Sequence, residues 1–170
     1  MIVSILVMTA IAGHHDLMQW YDIRRFVAVN DAILTDAQAH SRLYHSSVLV
    51  CGSSNGQQCD HRWHQGVVSF IDRNADQNFN QTVDTLLQFE PMMLRYGLVT
   101  WKGFGNRSVI VYDAATGTPN ASNGTLTYCS RVGLQHRQLI LSRMGRVRAS
   151  KDTNQDGRHE TASGQPIQCS

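Results

Sequence analysis

With 170 residues, 42% of them hydrophobic and 16% charged, the chain has the composition of one globular domain with a real core, which excludes a disordered polymer. A net charge of +2 and a pI of 8.4 are too mild for bulk charge alone to imply nucleic-acid binding. The charge is uneven, however: no acid stands between Asp113 and Asp152, where Arg131, Arg137, Arg143, Arg146, Arg148 and Lys151 fall, and this points to a face turned toward a polyanion.

The chain opens on "MIVSILVMTAIAG", apolar for 13 residues where a membrane-spanning helix needs about 20. It lacks the basic start and the cleavage site of a secretory signal, so it reads as part of a membrane helix or as the buried start of a helix. From His14 to Cys51 there is neither Gly nor Pro, and Trp20, Ile23, Val27, Leu34, Ala37 and Tyr44 recur at steps of three, four or seven. That is helical spacing. The two stretches predict one helix from residue 2 to about 46, apolar all round over 1–13 and amphipathic over 14–47; two helices broken at Gly13 are the alternative.

After Cys51 the texture changes to short runs separated by turn residues. "VLVC", "GVVSFID", "TLLQF", "GLVTW", "RSVIVY", "TLTYC", "RQLILS" and "RVRAS" read as strands, so residues 48–170 form a β domain. One long helix laid on an antiparallel sheet is an α+β plan. The loosest segments are 113–125 and the tail after Ser150.

Cys51, Cys59, Cys129 and Cys169 make an even count with no CxxC unit and no finger spacing, which favours disulfides in an extracytoplasmic compartment over a metal site. Three pairings are possible. Proximity favours Cys51 with Cys59, which leaves Cys129 with Cys169.

The stretch "CGSSNGQQCDHRWHQGVVSFIDRNADQNFNQTVDTLL" has its landmarks at Cys51, Cys59, Trp63, Gly66, Phe70, Asp72 and Asp84. With "NGTLTYC" and "LILSRMGRVR" it resembles the GspH/FimT family of type IV pilin-like proteins over nearly the whole chain. The resemblance implies a pilin fold and a non-enzymatic filament subunit without cofactors. Its N-terminal helix would be held in the inner membrane as a single pass before assembly, with the globular domain in the periplasm, and the assembled pilus would be extracellular. Other minor and major pilins are the implied partners. Family members begin with a cleaved leader and a Phe-Thr-Leu-Ile-Glu-like start, and "MIVSILVMTAIAG" looks like the continuation just past that glutamate. The processing site and the assembly glutamate therefore correspond to no residue here.

"RQLILS" and "RVRAS" flank "RMG", so a hairpin is expected, with Gly145 supplying the positive φ of a tight turn. Arg146 and Arg148 would then point the same way about 6.6 Å apart, with Val147 toward the core and Arg143 beside them. Guanidinium groups hold phosphate in a bidentate fork. In the FimT branch a Gly-Arg-x-Arg motif is associated with DNA binding during uptake for natural transformation, and Gly145, Arg146, Val147 and Arg148 match it. The resemblance thus implies that Gly145, Arg146 and Arg148 grip the backbone of double-stranded DNA without reading bases; Arg143 stands beside them in the hairpin, and Arg131, Arg137 and Lys151 either extend the patch or are scattered surface charge. The competing account of the arginines is a charged edge strand that discourages aggregation. The competing function is that of a type II secretion pseudopilin, which assembles filaments for protein export.

Other motifs carry less. "DRNADQNFNQTVD" and "DTNQDGRHE" echo calcium loops, but the twelfth place holds Val83 in one and Ser163 in the other, not glutamate, and no metal is assigned. The eight histidines come with no HExxH, GxSxG or Walker pattern, and the neighbours His14 and His15 diverge by about 100° on a helix. Trp63 and Trp101 read as core aromatics, with Trp101 beside Lys102 as the alternative stacking platform.

Overall fold

A computed structural model describes residues 2–119 and 121–169, with side chains from His15 onward. The side chains of the apolar start (1–13) and of His14 lie outside the described residues. Helix α1 (Ile2–Tyr44) runs unbroken through Gly13 and stops where His45 turns to a φ of 48°, three residues short of the expected bound at 47. Among the described residues no helix is long and apolar enough to cross a membrane.

The buried stripe of α1 is Gln19, Asp22, Phe26, Asn30, Ile33, Leu34, Ala37 and Ser41, again at helical steps. Trp20 and Tyr44, expected on that face, are 52% and 60% exposed. The stripe is rotated away from them because several of its members are polar and have partners in the loops beneath. Gln19 donates to the Ser130 hydroxyl and the Val132 carbonyl. The Asp22 carboxylate accepts the Arg95 and Tyr96 N–H groups at 2.8 and 2.7 Å, and the Ser41 hydroxyl donates to the Asp113 carbonyl at 2.9 Å. The Asp22 bonds satisfy the Arg95 and Tyr96 N–H groups, while Gln19 and Ser41 add a further donor to loop groups that are already paired locally.

Every expected strand run forms, but the strands make two antiparallel sheets, not one. The first orders β3 (Thr85–Pro91), β2 (Gly66–Ile71), β1 (Val48–Gly52) and β5 (Ile110–Tyr112). The second orders β4 (Gly97–Gly103), β6 (Gly124–Ser130), β7 (Arg137–Leu141) and β8 (Val147–Ala149). Splitting lets both sheets bring an apolar face to one helix: Val48, Val50, Ile110 and Tyr112 from the first meet Val99, Leu126, Tyr128, Leu139 and Leu141 from the second around Phe26, Ile33 and Leu34. The far face of the first sheet is also buried, by Leu49, Cys51, Val68 and Phe70 under Phe79 of the 72–84 loop.

Both disulfides pair as proximity suggested, Cys51 with Cys59 and Cys129 with Cys169. The second spans 40 residues and ties the tail to β6; constraining so long a loop stabilises the fold by about 4 kcal/mol on the chain-entropy model.

Candidate functional site

Alternation decides what the second sheet shows to each side. Leu139 and Leu141 of β7 face the core, and their partners Ala149 and Val147 share that face; Ile140 and its partner Arg148 face outward. The hairpin between β7 and β8 closes through the Gly145 N–H to the Ser142 carbonyl at 3.0 Å and the Ser142 N–H to the Arg146 carbonyl at 3.0 Å. Gly145 carries a φ of 83°, as the turn requires. The helix holds this turn from behind, where Gln38 donates to the Met144 carbonyl at 3.0 Å.

Arg146, Arg148 and Lys151 are exposed and line one groove of about 430 Å³, with Ile140 in its wall and Thr153, Glu160 and Thr161 of the tail across from them. Val147 packs on the core as expected. Arg143 stands at the hairpin tip, its guanidinium 5.9 Å from the Phe104 ring, in a different depression shared with Pro119 and Asn123.

Arg137 is not part of this face. It pairs with Tyr128, which pairs with Val99, and that row looks inward. Its guanidinium donates to the His136 carbonyl and the Gln135 side chain, against a crevice lined by Trp20, Ile23 and Val27 of α1. Burial pushes its pKa down, partly offset by Asp152. Arg131 lies at the far end of the sheet, donating to the Arg95 carbonyl.

One cation joins the outer face that sequence reasoning did not place there. Lys102 pairs with Thr125, Thr125 with Ile140 and Ile140 with Arg148, so Lys102 and Arg148 end one row across four strands, about 14 Å apart at the usual strand spacing. The next row carries Thr100, Thr127 and Gln138, with Gln138 donating to Thr127 at 3.1 Å. Between these cations the outer face carries Thr125, Thr127 and Gln138 with the partly buried Ile140. Trp101 faces inward, 6.3 Å from the buried Trp63, and so stands away from any ligand on the outer face. Among the described residues no histidine belongs to a converging group of metal-capable side chains.

The sequence pattern of the family described as Type II transport protein GspH matches residues 32–145, well over half of the chain. Two crystal structures of the type IV minor pilin FimU from Pseudomonas aeruginosa (strain PAO1) share the fold. In space group P65 the identity is 14% and the TM-score 0.53, covering 75% of this chain and 91% of FimU. In space group P21 the identity is 15% and the TM-score 0.54, covering 81% and 91%. No curated protein sequence matches.

Proposed function

Because the chain belongs to the GspH family of pilin-like proteins, we propose that it is a filament subunit, a minor pilin anchored in the inner membrane through α1, whose β domain binds extracellular double-stranded DNA for uptake. The observation that carries the DNA reading is the convergence of Arg146, Arg148 and Lys151 on one exposed groove beside a hairpin clamped to the helix. Exposed cations on that face, Arg146, Arg148 and Lys151 with Lys102 across the sheet, suit phosphate contacts, so binding is to the backbone and salt-sensitive. Other pilins are the partners along α1, and the subunit has no catalytic role.

A second reading has its own support. The matching family description names a type II transport protein, and a pseudopilin for protein export would use the same fold with the arginines as a protected sheet edge. Fluorescence anisotropy of labelled duplex DNA with the full chain across a salt series separates the two. Four phosphate contacts, from Arg146, Arg148, Lys151 and Lys102, predict a log–log slope of about −3.6, falling to about −1.8 in the Arg146→Gln, Arg148→Gln variant. No binding at low salt would leave the secretion reading.

A further inference from the structure

The tail loop "DTNQDGRHE" places Asp152, Asn154 and Asp156 at alternate positions and then Gly157, whose φ is 84°. The twelfth place, where a calcium loop carries glutamate, holds Ser163. The structure supplies one at the ninth. Glu160 folds back onto the start of the loop, its N–H donating to the Lys151 carbonyl at 3.0 Å, and its carboxylate comes within 4.8 Å of those of Asp152 and Asp156.

The state of these oxygens points to a ligand. Glu160 is only 5% exposed. Its Oε2 accepts the Thr153 N–H and hydroxyl, both at 2.8 Å, whereas its Oε1 is buried without a hydrogen-bond donor among the described residues. Asp152 repeats the pattern: Oδ2 accepts the Gly157 N–H at 2.9 Å and Oδ1 is buried without a donor. Burying unpaired oxygens of two carboxylates beside a third is costly unless a cation sits among them.

The 72–84 loop, also rich in Asp and Asn, is an internal control. There the Asp72 oxygens accept the Ala75 and Gln77 N–H groups, and those of Asp84 accept the Arg73 and Asn80 N–H groups. That loop is closed by its own backbone, while the tail loop leaves two buried anionic oxygens over.

We infer that Asp152, Asp156 and Glu160 form a calcium site in the C-terminal tail. The donors are all hard oxygens, which suits an ion that accepts six to eight of them in adaptable geometry better than magnesium, which demands a near-ideal octahedron. The site needs no DNA to operate. It stands in the wall that faces Arg146 and Arg148, so the ion would both order that wall and offset the negative charge beside the cationic one.

Isothermal titration of the EDTA-stripped full chain with calcium chloride is expected to show one saturable site with a dissociation constant on the order of 10⁻⁴ M, as in extracellular calcium modules. Saturating calcium is expected to raise the melting temperature by about 5 °C. Asp156→Asn, at an exposed position, is expected to weaken binding at least tenfold without altering the melt in EDTA, and Glu160→Gln to abolish it, while Asp76→Asn in the control loop changes nothing. Absence of saturable heat from the wild-type chain at millimolar calcium would overturn the site. Equal affinity for magnesium chloride would overturn its assignment to calcium.

Discussion

Gln38 fills the space that a side chain at Gly145 would need: a Cβ on Gly145 would overlap the Gln38 carboxamide. That carboxamide bridges the Met144 and Gly117 carbonyls at 3.0 Å each, so one helical residue fixes both the arginine hairpin and the 113–119 turn. Gly145 thus meets two demands, a φ of 83° and close approach to α1. Gly145→Ala is expected to cost about 2 kcal/mol, roughly half from the backbone and half from the clash. In a Gln38→Ala background the cost is expected to fall to about 1 kcal/mol. Urea unfolding of the four chains measures the coupling, and equal costs in the two backgrounds would refute the steric relation.

The strand runs, the Gly145 turn and the cysteine pairs were legible because each is set by neighbours in sequence: alternation over a few residues, one glycine in a tight turn, the shorter of two loops. Pairing between distant strands is not local. Nothing in "GLVTW" says that β4 lies beside β6, so the row joining Lys102 to Arg148, and the inward turn of Arg137, became visible only with the sheet order. The helix misled in a different way. Its apolar spacing drew attention to Trp20 and Tyr44, whereas Gln19, Asp22 and Ser41 are buried because loops far along the chain supply their partners. Glu160 stands at the ninth place of its loop, and only the fold of the tail back onto Lys151 brings it beside Asp152.

The sheet register makes the DNA reading divisible. Lys102 shares the outer face with Arg148, so Lys102→Gln is expected to reduce the salt slope of DNA binding by about 0.9. Arg137 has the same charge but faces α1, and Arg137→Gln is expected to leave the slope unchanged even if it lowers the melting temperature. A loss of slope from Arg137→Gln as large as that from Lys102→Gln would mean that DNA does not lie on the outer face.

Acid is expected to destabilise the domain through its histidines. Burial holds His64, His136 and His159 below the ordinary imidazole range, and nearby arginines push the same way: Arg131 and Arg62 at His64, Arg137 at His136 and His159. His136 also accepts the Ser130 N–H through Nδ1 at 3.2 Å, a bond that a protonated ring cannot accept. A folded pKa below the unfolded value of 6.5 means that the native state prefers the neutral ring. The stability it contributes is therefore fully present above that pH and is lost as the pH falls through the folded pKa. In EDTA, the melting temperature is expected to be flat above about pH 7 and to decline as the pH falls below about 6.5. His136→Gln is expected to make that decline shallower, since glutamine carries no titrating proton; a decline of unchanged steepness would place the proton uptake elsewhere.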